Sequence, residues 1–166
     1  GDMDSADPDR ITFFQDRGAT ISTCPREKDK TDTPLAIEVA IQRGCRRIFL
    51  FGALGGRIDH ALANISLLHL AQDRDAEIRI IERDCELFLV SKAGTLQGMP
   101  GDTVSLLPLA GPVRGITLTG FQYALRDGTM EPGNPYGVSN RLAGEEGRIT
   151  VREGKLLVIR YFRGVS

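Results

Sequence analysis

Residues 46–60 read Arg46-Arg47-Ile48-Phe49-Leu50-Phe51-Gly52-Ala53-Leu54-Gly55-Gly56-Arg57-Ile58-Asp59-His60, and this stretch decides the fold. Ile48 to Phe51 form an unbroken apolar run, as a strand covered on both faces requires. Glycines end the run, and Ile58, Ala61, Leu62, Ile65 and Leu68 then recur at helical spacing. Glu77 to Glu82, with Ile78, Ile80 and Ile81, supplies a returning strand. Strand, glycine turn, helix and strand make one unit of an open α/β sheet.

Upstream the same grammar continues. Asp7-Pro8 gives a cap and a first-turn proline for a helix reaching Arg17 and stopping at Gly18. Ala19 to Thr23 reads as a short strand, and Thr33-Pro34 opens a second helix through Arg43, ended by Gly44. Residues 1–83 are therefore expected to form a Rossmann-like open parallel sheet with helices. Gly1 to Ser5 is loop-like with no strand before it, so the first strands of that sheet are expected upstream of Gly1.

After Arg83 short β-rich runs follow at Leu87–Val90, Val104–Leu109, Gly115–Thr119, Arg148–Arg152 and Leu156–Phe162, between Gly, Pro, Asp and Asn clusters. No helix is expected there. The last two runs, joined by Glu153-Gly154-Lys155, read as a hairpin. Residues 84–166 are expected to be a β-sandwich.

Composition narrows the function. The chain has 166 residues, 41% of them hydrophobic, with 21 basic against 22 acidic and a net charge of -1. No overall field attracts nucleic acid or an anionic membrane, and neither is expected as a partner. No apolar stretch approaches a membrane span and no leader-like segment opens the chain, so it reads as cytoplasmic. Cys24, Cys45 and Cys85, odd in number and widely spaced, read as small buried hydrophobes.

Four constellations could carry chemistry. In Gly1-Asp2-Met3-Asp4-Ser5 two carboxylates alternate along a turn and could share a magnesium ion; a turn that caps the helix at Pro8 uses the same residues. Lys28-Asp29-Lys30-Thr31-Asp32-Thr33 mixes lysines and carboxylates before a helix, suiting either a metal-nucleotide site or a solvated loop in which Asp32 or Thr33 caps. Gly55-Gly56-Arg57-Ile58-Asp59-His60 offers backbone N–H groups, a helix N-terminus and a guanidinium to an anion, although neither a Walker A loop nor the dinucleotide fingerprint is present. Asp59 and His60 also suit an ordinary first helical turn, and Asn64 lies one turn beyond on the same side. His69, deeper in the helix, reads as structural. Tyr136-Gly137-Val138-Ser139-Asn140 is either a common turn or a pair of hydrogen-bonding groups for a polar ring.

In this order, with this change of fold between them, the four resemble the thiamine pyrophosphokinases, whose pattern is G-D-x-D-S, K-D-x-T-D, G-x-x-G-G-R-x-D-H and a late G-x-S-N. Gly120-Phe121-Gln122-Tyr123-Ala124-Leu125 stands where relatives have something like G-L-K-Y-P-L, so the resemblance covers essentially the whole chain. It implies an α/β nucleotide-binding domain and a β-sandwich in a homodimer, with each active site shared between subunits. It further implies that diphosphate passes from ATP to the hydroxyl of thiamine, giving thiamine diphosphate and AMP. Asp2, Asp4 and Asp32 would bind magnesium; Arg57, Asp59, Lys28, Thr31, Gly55, Gly56, His60 and Asn64 would organise ATP; Ser139 and Asn140 would contact thiamine from the neighbouring subunit. Asp4, Asp32, Arg57 and Asp59 are the residues expected to carry the transfer.

The chain also departs from the family. Relatives carry a further strand-helix unit before G-D-x-D-S. Some stack the thiamine pyrimidine on a tryptophan after the S-N pair; this chain has none, and Tyr136 is the expected substitute. Two alternatives stand beside the leading one: transfer to another small alcohol, and a protein that binds nucleotide or thiamine without catalysis.

Overall fold

The computed structural model describes residues 7–21, 23, 31–71, 74, 76–134 and 136–163. They fall into two compact units, 1–45 and 46–166. In the first, α1 (Pro8–Gln15) starts as its sequence directs: Asp7 accepts a hydrogen bond from Asp9 N–H at 2.9 Å, and Pro8 fills the first turn. Gly18, at φ 87°, closes it. Residues 19–21 and 23 are not in a strand, contrary to expectation; among the described residues they have no partner strand to supply a ladder. α2 (Asp32–Gln42) buries Ile37 and ends at Gly44, at φ 80°.

The second unit begins with β1 (Arg47–Phe51), α3 (Ile58–Ser66), a 3₁₀ turn (Leu67–Ala71) that includes His69, and β2 (Glu77–Ile81). β1 and β2 are parallel, with Ile48 opposite Ile78 and Leu50 opposite Ile80. This is the strand-helix-strand order that residues 46–60 announced, but β1 is not covered on both faces as expected, since Phe49 and Phe51 are exposed. Of the expected parallel sheet, the described residues form this one parallel pair.

The chain then turns through residues 82–84 into β3 (Cys85–Val90), which pairs antiparallel with β2. The remaining strands are β4 (Ala93–Gln97), β5 (Thr103–Pro108), β6 (Val113–Thr119), β7 (Leu125–Met130), β8 (Asn140–Arg141), β9 (Glu146–Thr150) and β10 (Leu156–Tyr161). Two sheets result, a mixed one in the order β1-β2-β3-β10-β5-β8 and an antiparallel one in the order β4-β9-β6-β7. The mixed sheet therefore runs without a break from the α/β unit into the sandwich.

The sandwich core is built from inward residues of both sheets. Phe88, Val90, Val104, Leu106, Leu156 and Val158 face Leu96, Val113, Ile116, Leu118, Met130 and Ile149. Each such side chain, fully removed from water, stabilises the fold by about 1.5–3 kcal/mol. The expected hairpin over residues 148–162 does not form, because β9 and β10 belong to different sheets. Val151 N–H instead donates to Lys92 O at 2.7 Å and Arg152 N–H to Arg114 O at 3.1 Å, carrying the chain from one sheet to the other. β7 is bulged. Its register against β6 shifts twice, and Asp127 takes a φ of 50°.

Charged side chains close one end of the core. Glu86, 7% exposed, receives Arg79 Nη1 on Oε2 at 2.9 Å and Arg160 Nη1 near Oε1 at 3.3 Å. Asp102, 2% exposed, accepts Met99 N–H at 3.0 Å and Arg163 N–H at 3.1 Å, with Arg160 Nε 3.6 Å from its Oδ2. Arg79 lies 4.2 Å above the Phe88 ring. Cys85 is buried as expected, its thiol pushed up to about 11 by burial, whereas Cys45 is exposed and Cys24 lies outside the described residues. No helix among the described residues is long and apolar enough to cross a membrane.

Arg160 sits between two buried carboxylates, and removing one partner from such a pair leaves an uncompensated charge. Arg160→Ala is expected to lower stability by about 3–5 kcal/mol, read as a reduced urea midpoint.

Candidate functional site

The loop of residues 52–57 joins β1 to α3. Gly52 and Gly56 hold φ values of 67° and 78°, in the left-handed region that favours glycine. A Cβ at Gly55 or Gly56 would meet nothing within 4 Å, so the backbone there stands open to an approaching group. Arg57 is the N-cap of α3 without a capping side-chain bond, and the first-turn N–H groups face outward from the helix end. Partial positive charge gathers at such an end, which is why anions bind there.

Arg57 grips Asp59 with both sides of its fork, Nη2 to Oδ2 at 2.5 Å and Nε to Oδ1 at 3.1 Å. Asp59 Oδ1 also accepts His60 N–H at 3.0 Å. The guanidinium bond holds the Asp59 carboxyl below its ordinary range, so it stays ionised at neutral pH. Both partners are solvent-facing, and an exposed pair contributes little stability. Arg57 can thus exchange Asp59 for phosphate oxygens at small cost. His60 stands exposed on the first turn of α3.

Asn64 bonds to the loop itself. Its Nδ2 donates to Ala53 O at 2.8 Å, tying α3 to the loop. Glu82, just beyond β2, accepts Leu54 N–H on Oε1 at 2.9 Å. Sequence reasoning missed Glu82; its signal was an acidic residue at the carboxyl end of a strand beside the glycine loop.

At the start of α2 the expected cap by Asp32 or Thr33 is not found. The helix begins earlier, with Thr31 at the N-cap making no capping side-chain bond and Asp32 in the first turn. The helix dipole favours a carboxylate there. Asp2, Asp4 and Lys28 lie outside the described residues. Among the described residues no three His, Cys, Asp or Glu side chains are grouped as a metal site.

The third element is the turn of residues 136–140, next to β8 and β5. Gly137 is required by close approach, because a Cβ there would come within 2.4 Å of Leu106 O. Leu106 N–H donates to Gly137 O at 2.9 Å. Ser139 adopts φ 64°, a left-handed conformation costing about 1–3 kcal/mol in a non-glycine residue. Its N–H bonds Ser105 Oγ at 3.2 Å, and the residue is exposed.

Asn140, 6% exposed, clamps the neighbouring segment. Its Oδ1 accepts Tyr123 N–H at 3.0 Å and Arg141 N–H at 2.8 Å, and its Nδ2 donates to Tyr123 O at 2.8 Å. One N–H of the amide remains for another acceptor. Gln122 N–H donates to Arg141 O at 2.8 Å, so the Gly120–Tyr123 segment lies beside the Ser139 turn. Two motifs far apart in sequence thereby become neighbours. Tyr123, 64% exposed, belongs to the segment that resembles G-L-K-Y-P-L, but its sequence context signalled no site role. Tyr136 is half exposed, and its hydroxyl donates to Thr129 O.

Comparison with known proteins identifies the family. A model described as "Thiamin pyrophosphokinase, catalytic domain" matches residues 1–80, and one described as "Thiamin pyrophosphokinase, vitamin B1 binding domain" matches residues 91–156. Thiamine pyrophosphokinase of Bacillus subtilis is 29% identical, the match covering 96% of this chain and 76% of the relative. Thiamine pyrophosphokinase 1 of Oryza sativa is 31% identical, covering 90% of this chain and 60% of that longer protein. The crystal structure of the Bacillus subtilis enzyme superimposes with a TM-score of 0.85 at 28% identity, over 98% of this chain and 77% of that one. Thiamin pyrophosphokinase from Geobacillus thermodenitrificans gives a TM-score of 0.81 at 34% identity, over 99% and 76%. Both domains match in chain order and the likeness to solved members extends from end to end, so this chain belongs to the thiamin pyrophosphokinase family.

Proposed function

We propose that this chain transfers a diphosphate group from ATP to the primary hydroxyl of thiamine. The observation that carries the reading is the open glycine loop between β1 and α3, with Arg57 at the helix N-terminus. β1, α3 and β2 are read as part of a Rossmann-like nucleotide-binding sheet. Residues 1–83 handle ATP and residues 84–166 handle thiamine, close to the division between the two family models.

In the reaction an oxygen–phosphorus bond forms between the thiamine hydroxyl and the β-phosphorus, the hydroxyl proton passing to an acidic residue of the site. The bond from that phosphorus to the α,β-bridging oxygen breaks, and AMP leaves with the oxygen. Charge accumulates on the phosphoryl oxygens, so positioning and electrostatic stabilisation supply most of the rate. Arg57 offers fixed positive charge, and the N–H groups of Gly55, Gly56 and the first turn of α3 offer donors. Lys28 and Thr31 would add contacts to ATP, with His60 at the same helix end. Asp59 holds Arg57 in place until phosphate replaces it.

The carboxylates Asp2, Asp4 and Asp32 have the oxygen-only chemistry that suits magnesium, and they are the residues that would hold it. Bound there, the ion would neutralise triphosphate charge that carboxylates alone would repel. Ser139 offers its hydroxyl and Asn140 its remaining N–H to thiamine, with Tyr136 as a partly exposed ring beside them.

Sheet order favours a site shared between two copies. The glycine loop follows β1 at one edge of the mixed sheet, and the Ser139 turn leads into β8 at the other. Five strand spacings of about 4.8 Å separate those edges, roughly 24 Å within one chain. Thiamine held by Ser139 would then lie at the opposite edge of the sheet from ATP on the loop of its own chain. A homodimer with exchanged contributions brings the two halves together.

The full-length protein, given ATP, magnesium and thiamine, is expected to form AMP and thiamine diphosphate in equal amounts; ADP as product would overturn the reading, and turnover with another alcohol in preference to thiamine would redirect it. Asp32→Asn is expected to slow turnover about 100-fold or more with unchanged circular dichroism. Mixing inactive Arg57→Ala and Ser139→Arg proteins under subunit exchange is expected to restore about a quarter of parental activity, because half of the dimers then carry one intact site. No recovery after demonstrated exchange would place both residues in the site of a single chain.

A further inference from the structure

We infer that Glu82 and Asn64 act together as positioning residues that lock one peptide plane of the glycine loop and thereby set the affinity for ATP. The inference rests on reading residues 52–57 as the ATP loop. The plane is that of the Ala53–Leu54 peptide. A trans peptide carries its C=O and N–H on opposite sides. Here each pole is held by a side chain from a different element: Asn64 Nδ2 of α3 donates to Ala53 O at 2.8 Å, and Glu82 Oε1 beyond β2 accepts Leu54 N–H at 2.9 Å.

Both bonds are partly buried, which shields them from exchange with water. The surrounding backbone has the freedom that the two bonds remove, with Gly52 before the plane and Gly55-Gly56 after it. Turning the plane over would set the Ala53 oxygen against the Glu82 carboxylate and the Leu54 N–H against the Asn64 amide hydrogens. Like poles would then meet on both sides. The locked orientation keeps a carbonyl acceptor on the α3 side, tied to Asn64, while the open positions at Gly55 and Gly56 retain their N–H groups for an anion.

Glu82 also fastens the loop to the start of the sandwich. Its own N–H donates to Cys85 O at 2.8 Å, closing the turn between β2 and β3. One residue thus joins the phosphate loop to the strand that continues into the second half of the chain.

Steady-state kinetics of the full-length enzyme, varying ATP and thiamine separately, tests this. Glu82→Ala and Asn64→Ala are each expected to raise KM for ATP about tenfold while KM for thiamine changes by less than about twofold. Glu82→Gln keeps an acceptor for Leu54 N–H and is expected to recover most of the loss. The double Ala variant is expected to be about as impaired as either single one, because either loss frees the same plane. Unchanged KM for ATP in the single variants, additive effects near 100-fold in the double variant, or a Gln variant as impaired as Ala would each overturn the inference. Calorimetric titration of the same variants with a non-hydrolysable ATP analogue and magnesium gives the comparison without turnover. A failure of the proposed reaction is thereby distinguished from a failure of the clamp.

Discussion

The pairing of β2 with β3 is the constraint on which the second unit depends. Arg79 lies opposite Phe88, Ile80 opposite Leu87 and Ile81 opposite Glu86, and through these three pairs a parallel strand pair becomes the edge of an antiparallel sheet. Because the hydrogen-bond ladder is continuous, the glycine loop after β1 and the turn before β8 belong to one framework with a fixed spacing. The side-chain period of two does the rest. Arg79, Phe88 and Glu86 share the face that closes the sandwich, while Ile78, Ile80 and Leu87 take the other. A slip of one residue would set Arg79 opposite Leu87 and Ile80 opposite Glu86.

The motifs have physical content beyond their resemblance. In G-x-S-N, Gly137 allows β5 to approach, Ser139 takes a left-handed backbone, and Asn140 holds Tyr123 by both backbone groups. Most of the Asn140 amide is therefore engaged within the fold, and the exposed members of the turn are Tyr136, Val138 and Ser139. Asn64 behaves alike in the other motif, since its amide is turned to the loop carbonyl. In both places a polar residue of the motif is spent on shaping the neighbouring backbone.

Much of this architecture was legible in the sequence. The run from Ile48 to Phe51, the helical spacing after Arg57 and the change of grammar after Arg83 describe the observed order of elements. β4 and β7 were not legible. Ala93-Gly94-Thr95-Leu96-Gln97 lacks β-branched alternation, and Asp127-Gly128 reads as a turn although it lies in a bulged strand. The hairpin error has the same origin. Glu153-Gly154 signals a turn correctly, but local residues do not encode which sheet the next strand joins, and pairing with Arg114 decided it. For the site, the sequence identified Arg57, Asp59 and Ser139 as chemically suited groups. The role of Glu82 and the placement of Tyr123 were hidden because they come from long-range bonds to Leu54 and Asn140.

The bulge in β7 bears on how copies of this protein meet. β7 ends the antiparallel sheet, where an exposed ladder of N–H and C=O groups would invite the same strand of another molecule to add on. Two register shifts, the left-handed backbone at Asp127 and the exposed Arg126 and Asp127 spoil that template. A protein proposed to need a second copy for its chemistry has to discourage unproductive pairings as well as form the useful one. The irregular strand leaves that edge without a regular ladder for a second copy to extend.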